Sequence, residues 1–410
     1  MATVVLVGTL DTKGPEYDWL AGRLRDLGCE VVVVDAGVGE PRSAAEIGND
    51  RVAGAAGADL GALRAEGDRG AAVAAMGEGA AAVLEELHQE GRLDAVLAVG
   101  GSGGSSIAAR AVRDLPIGVP KLIVSTMASG EVSPYVGAKD VTLMYSVVDI
   151  AGLNRVSRAI LGNAAAAAAG MARARETMES AGEDDRPLVA ASMFGVTTPA
   201  VDAARERLDE LGYEVLVFHA TGSGGRALEA LAAGGLLAGV LDLTTTELAD
   251  DLVGGVLSAG PHRLTAAGAT GLPQVVAPGA LDMVNFGPRD TVPRRFAGRL
   301  LYVHNPSVTL MRTTAEEMGE LGRRVAAKLR GAIGPAALFV PRGGVSALDA
   351  ADGPFYDPKA DDACFEAMTA GLRGSPVGVV DLDMHVNDPD FGRTMADRLH
   401  HMITSREAAR

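Results

Sequence analysis

The stretch Val5-Leu6-Val7-Gly8-Thr9-Leu10-Asp11-Thr12-Lys13-Gly14-Pro15 leads into a helical segment and then into Leu27-Gly28-Cys29-Glu30-Val31-Val32-Val33-Val34. It returns 184 residues later as Val189-Ala190-Ala191-Ser192-Met193-Phe194-Gly195-Val196-Thr197-Thr198-Pro199, followed by Leu211-Gly212-Tyr213-Glu214-Val215-Leu216-Val217-Phe218. Val5/Val189, Pro15/Pro199, Asp18/Asp202, Arg23/Arg207, Leu24/Leu208, Gly28/Gly212 and Glu30/Glu214 are identical pairs. Each copy reads as an apolar strand, a polar loop, a helix with Pro in its first turn, a Gly C-cap and a second apolar strand. The chain therefore carries an internal duplication of a β-α-β unit.

The order continues with looser spacing. Asp94–Val99 before Gly100 parallels Ala238–Leu243 before Thr244, and Val119–Val124 parallels Leu272–Ala277. Ala138–Tyr145 is expected to parallel Ala297–His304. Short apolar runs alternating with helical stretches predict parallel sheets with helices on both faces. The expected fold is thus α/β, with two Rossmann-like domains at 1–182 and 187–405. An Ala-rich helix from about Asn154 to Ser180 should close the first, and an acidic linker ending in Pro187 should follow it. The second domain should add strands at Ala336–Val340 and Val377–Leu382.

Composition narrows the function. The 410 residues carry 48% hydrophobic and 22% charged residues, which excludes disorder. The net charge of −16 argues against nucleic-acid binding, which draws its affinity from neutralised phosphates. No apolar run is long enough to span a membrane, and Val4–Val7 begins a strand where a signal peptide would place a charged segment. With only Cys29 and Cys364, a disulfide framework is not expected, and a cytoplasmic location is.

In open parallel sheets ligands bind beyond the carboxyl ends of the strands. Gly100-Gly101-Ser102-Gly103-Gly104-Ser105-Ser106 lies there, before a helix whose free N–H groups would face an anion. Phosphates are expected on Gly101, Ser102, Gly103, Gly104 and Ser105, aided by Thr9, Thr12, Lys13, Ser125 and Thr126. Asp11 is the candidate for holding magnesium through water. The alternatives are a Gly-rich turn needed only for packing, a solvated Lys13, and Asp11 as a helix cap. In the second half, His219, Asp282, Asn285, His304 and Arg312 close strands and form a candidate catalytic set. His219 and His304 would converge near Asp282 and Glu247 as general acid/base groups. A metal site of His219, His304 and His385 with Asp242 or Asp383 is a weaker alternative, because no local spacing supports it.

Several motifs together resemble a known family. They are Gly8–Gly14, Gly100–Ser106, Ser125–Gly130, Asp149–Arg155, His219–Gly225, Val284-Asn285-Phe286-Gly287, His304-Asn305-Pro306 and Arg312-Thr313-Thr314. The family is largely uncharacterised and includes the N-terminal, ATP-binding inhibitory domain of the tobamovirus resistance protein of tomato. The resemblance runs from Val4 to about Leu399. It implies two Rossmann-like subdomains, a nucleotide site and a homodimer. The barrel-like C-terminal domain of the plant chain is not expected here, because the sequence ends at Arg410, and virus binding is not expected to carry over. Three functions remain open: an ATP-binding hydrolase or transferase acting on a small anionic substrate between the halves, a non-catalytic nucleotide-regulated module, and a small-molecule enzyme that does not use ATP.

Overall fold

The computed structural model describes residues 1–178 and 186–408. The chain divides into two compact units, Met1–Asp184 and Asp185–Arg410. Ser180 and the acidic part of the expected linker, Gly182 to Asp185, lie outside the described residues.

The first unit is built on strands β1 (Thr3–Gly8), β2 (Glu30–Asp35), β3 (Ala95–Gly100), β4 (Lys121–Ser125) and β5 (Val141–Tyr145). They form one sheet in the order β2-β1-β3-β4-β5, and every pairing is parallel. Val4–Val7 and Ala95–Val99 are buried throughout, as continuous apolar runs covered on both faces must be. One face packs on the helix Leu10–Asp26 and on the Ala-rich helix Arg155–Met178. Ala164, Ala165, Ala168, Ala169 and Ala172 are almost wholly buried there, and their small side chains let the helix lie close to the sheet. The other face is covered by the helices Asn49–Ala55, Arg69–Gln89 and Ser102–Ala111.

The second unit contains β6 (Leu188–Met193), β7 (Glu214–His219), β8 (Gly239–Thr244), β9 (Gln274–Gly279), β10 (Met283–Phe286), β11 (Leu301–Asn305), β12 (Val308–Arg312), β13 (Ala336–Pro341) and β14 (Gly378–Leu382). Six of these make a parallel sheet in the order β14-β13-β9-β8-β6-β7. Read from β7, it repeats the β2-β1-β3-β4 order of the first unit, so the duplication holds for four strands. The extra strands expected near Ala336 and Val377 extend that sheet as β13 and β14.

The fifth strand departs from expectation. The segment set against Ala138–Tyr145 contains β11, but β11 pairs antiparallel with β12 in a separate sheet of order β10-β12-β11. Only Pro306 and Ser307 separate β11 from β12, and so short a connection cannot make a parallel crossover. The place beside β9 is taken by β13, whose Ala336–Val340 is fully apolar and buried. Between the sheets the helix Ala315–Arg330 starts on a capping box. The Thr314 hydroxyl accepts from Glu317 N at 3.2 Å, and the Glu317 carboxylate accepts from Thr314 N at 2.8 Å.

Candidate functional site

Strand order places the crevice of the first unit. β1 keeps its ladder with β2 to Gly8↔Asp35, and β3 keeps its ladder with β4 to Gly100↔Ser125. The β1–β3 ladder stops earlier, at Val7↔Ala98. This is the point where strand order reverses and where ligands bind in such sheets. Tyr17 holds the split open: its hydroxyl lies 2.6 Å from Val7 O and 3.0 Å from Val99 O, and accepts from Val99 N at 2.8 Å. Burial pushes the Tyr17 phenol far up, so it stays protonated. Gly8 makes room for the ring, since a Cβ there would lie 1.9 Å from the Tyr17 oxygen.

Above this splint lies a cavity of about 610 Å³. Thr9, Asp11, Thr12, Lys13, Gly101, Ser102, Gly103 and Gly104 of the expected phosphate site all line it. Thr9 O accepts from Thr12 N and Lys13 N, and this turn starts the helix Leu10–Asp26. Lys13 Nζ donates to Ile150 O at 2.6 Å, and Gly152 N donates to the Glu16 carboxylate at 2.6 Å. The Asp149–Arg155 motif is thereby strapped to the first helix.

Ser105 and Ser125 are fully buried behind the cavity wall. Their hydroxyls share a hydrogen bond at 2.6 Å, and Met127 N donates to Ser125 Oγ, so they fix the β3 and β4 loops to each other. Thr126 stands beside Gly101, 3.7 Å from where a Cβ would be.

The glycines divide sharply by role. A Cβ on Gly100 would come within 2.8 Å of the Gly104 backbone, so Gly100 is required for packing. Cβ atoms on Gly101, Gly103 and Gly104 would meet nothing closer than 3.7, 3.3 and 3.7 Å. The fold does not need these three to be glycine, yet they line the cavity at the N-terminus of the helix Ser102–Ala111. That N-terminus has no side-chain cap.

Asp11 Oδ2 accepts from Gly39 N at 2.8 Å, whereas its buried Oδ1 has no partner. Asp35 Oδ1 accepts from Leu10 N and Gly37 N, and its Oδ2 is likewise orphaned. Burial pushes the Asp35 carboxyl up, and the nearby Asp11 charge adds to this. Among the described residues no three His, Cys, Asp or Glu side chains group as a metal site. A magnesium ion held by the unpartnered Asp11 oxygen would take its remaining ligands from phosphate and water.

Residues 63–73 supply a part of the site that sequence reading did not find: Leu63, Arg64, Arg69, Ala72 and Val73. The helix Leu60–Glu66, which carries Leu63 and Arg64, buries none of its residues. The punctuation was present, because Gly67 ends one helix in the left-handed region and Asp68 caps the next, Arg69–Gln89. No counterpart in the second half drew attention to it.

The same split in the second unit is filled. Beyond Ala191↔Leu241, Ser192 Oγ donates to Asp242 and accepts from Thr244 N, and the Thr197 and Thr244 hydroxyls pair at 2.8 Å. Thr244, Thr245, Thr246 and Glu247 are all buried, and Arg263 lies among them. The Gly-rich turn after His219 also differs from Gly100–Ser106. Glu247 accepts from Gly222 N at 2.6 Å and from Gly225 N at 3.0 Å, so the turn already holds an anion from its own chain.

The candidate catalytic residues fall on separate places in this unit. His219 is exposed at the end of β7, edge-on to Phe194, and His304 is exposed on β11. Asn285 is buried, donating through N and Nδ2 to Asp250 at 2.7 Å each. Asp282 and Arg312 do come together. Arg312 Nη2 donates to Asp361 at 2.7 Å and lies 3.6 Å from Asp349, and Ser346 Oγ donates to Asp282 at 2.7 Å. Desolvation pushes Asp282 up to about 6, Asp349 to about 6 and Asp361 to about 7. Three carboxyls around one guanidinium cannot all ionise cheaply in the interior.

A pH dependence follows. These carboxyls bind protons more tightly folded than unfolded, so between about pH 4 and pH 7 stability falls as pH rises. The calorimetric transition of the second unit should lie several degrees higher at pH 5 than at pH 8, and Asp349→Asn should flatten the difference. A transition that rises steadily from pH 5 to pH 8 would contradict this.

These observations define a protein of two parallel-sheet α/β units, with an open crevice in the first and a filled one in the second. The chain belongs to the uncharacterised protein family UPF0261: the family's N-terminal domain matches residues 2–177 and its C-terminal domain residues 186–403. A UPF0261 protein of Clostridium tetani is 48% identical over 401 residues, covering 98% of each chain. One from Rhizobium meliloti is 48% identical over 95% of this chain and 96% of its own. The ToMV resistance protein Tm-1(GCR237) of Solanum lycopersicum is 40% identical over 96% of this chain, which spans 55% of the tomato protein. No described helix is long and apolar enough to cross a membrane.

Proposed function

We propose that the first unit binds ATP with magnesium, the phosphates lying on Gly101–Gly104 against the N-terminus of the helix Ser102–Ala111. The carrying observation is the three glycines that packing does not require but a close anion does. The apolar lining residues Val38, Leu63, Ala72, Val73 and Ile107 offer the base a surface, and Thr9, Thr12 and Asp11 line the same cavity. Asp11, with one oxygen held by Gly39 N and the other orphaned, would hold the magnesium. The ion would neutralise phosphate charge and fix the phosphate chain against the cradle.

Gly103→Ala separates this reading from a packing turn. Gly103 sits in a helix, where alanine stabilises by about 0.5–1 kcal/mol. The variant should therefore melt no lower than the wild type, yet lose most of the shift in melting temperature given by millimolar ATP and magnesium. A wild type that shows no ATP shift, with or without magnesium, would remove the proposal. So would a Gly103→Ala variant that keeps the full shift.

A further inference from the structure

Three cationic side chains line the cavity of the first unit: Lys13, Arg64 and Arg69. Two are committed to the protein. Lys13 Nζ is held by Ile150 O. Arg64 spends its guanidinium on Val38 O, on Glu40 at 3.0 Å and on Gly39 O at 3.0 Å. Among the described residues the Arg69 side chain makes no hydrogen bond or ion pair, and its Nη2 lies 3.3 Å from where a Gly103 Cβ would be. The one uncommitted guanidinium thus hangs over the first turn of the helix Ser102–Ala111, where the uncapped N–H groups converge.

The surroundings keep it there. Arg69 is the first residue of the helix Arg69–Gln89, so its backbone is fixed while its exposed side chain can swing. The neighbouring Asp68 makes no ion pair with it; Asp68 Oδ1 caps Gly70 N at 2.8 Å and Ala71 N at 3.1 Å. The N-terminus of this helix is therefore satisfied and does not compete for an anion. A guanidinium stays charged at any relevant pH and grips phosphate oxygens in pairs.

We infer that Arg69 clamps the outer phosphates of the bound ligand, so that the site selects polyphosphates over monophosphates by the number of phosphates within its reach. The inference rests on the nucleotide reading above. Lys13, tied to Ile150, acts as a positioning residue for the loop.

The test is a calorimetric titration of AMP, ADP, ATP and inorganic tripolyphosphate, with magnesium, into the full-length wild type, Arg69→Ala, Arg69→Lys and Lys13→Ala. Arg69→Ala should weaken ATP and tripolyphosphate by about 10-fold or more, the scale of a lost charged hydrogen bond, and leave AMP within about 2-fold. Arg69→Lys should recover part of the loss, as a point charge does without the paired grip. Lys13→Ala should lower the melting temperature and leave the ATP-to-AMP ratio unchanged. An Arg69→Ala variant whose ATP-to-AMP ratio equals that of the wild type overturns the inference and leaves the nucleotide reading standing. A wild type that binds none of the four ligands at millimolar concentration removes both.

Discussion

Arg263→Ala is expected to unfold the second unit at room temperature, or to bring it to the edge of unfolding. Arg263 has no exposed surface. Its guanidinium donates to both oxygens of Asp242, to Glu247 at 2.6 Å, to Glu229 at 3.3 Å and to Thr244 O at 3.2 Å. The carboxylates of Asp242 and Glu247 are as buried as the arginine. Removing the cation strands them without water, which costs about 3–5 kcal/mol. A domain's whole stability is about 5–15 kcal/mol. Glu247 also secures the turn at Gly222 and Gly225, so the loss should spread to the helix Ser223–Ala233. Arg263→Lys should rescue little, because one ammonium cannot reproduce a fork on Asp242 and a bond to Glu247 together. Urea unfolding followed by circular dichroism measures this, and a loss below about 1 kcal/mol would contradict it.

Gly8→Ala should do comparable damage to the first unit and close its crevice. The added methyl would occupy the place of the Tyr17 hydroxyl, which is held by three strand atoms and cannot swing aside freely. Overpacking costs about 1–3 kcal/mol, and leaving Val99 N unpaired adds about 1–3 kcal/mol. Tyr17→Phe should cost only the second amount, since the ring keeps its place. Trp19, the one tryptophan of the chain, lies in the same helix as Tyr17 and reports the unfolding of this unit. The expected order of stability is wild type, then Tyr17→Phe, then Gly8→Ala. A Gly8→Ala variant as stable as the wild type would mean that Tyr17 does not splint the two strands.

Much of this fold is legible in one dimension because the signals are local. The strand-loop-Pro-helix-Leu-Gly-x-Glu-strand pattern fixes two β-α-β units without knowledge of any contact. The apolar runs of β1, β3, β8 and β9 identify strands buried on both faces. The first candidate site was legible for the same reason: a loop after a strand end faces the crevice whatever else the chain does, so Thr9–Lys13 and Gly101–Gly104 meet there. The turn Pro306-Ser307 was legible too, and its shortness should have marked β11 and β12 as an antiparallel hairpin. The apparent likeness of Ala297–His304 to the first half hid it.

What the chain could not show in one dimension depends on residues far apart in sequence. Gly100–Ser106 and His219–Gly225 look alike as strings of small polar residues. Only packing reveals that Glu247 fills the second, while the first is left open at its helix N-terminus. Asp282 and Arg312 read as exposed strand-end chemistry. The loop from Arg342 to Asp357 and the helix Pro358–Leu372 place Asp349 and Asp361 beside them and bury all four. Arg69 carries no motif at all. The sequence by itself determined the two parallel-sheet units and the loops that face their crevices, because strand periodicity, caps and glycines act over a few residues. Tertiary structure alone decided which crevice is open and which cation is free, because both turn on what side chains from distant segments occupy.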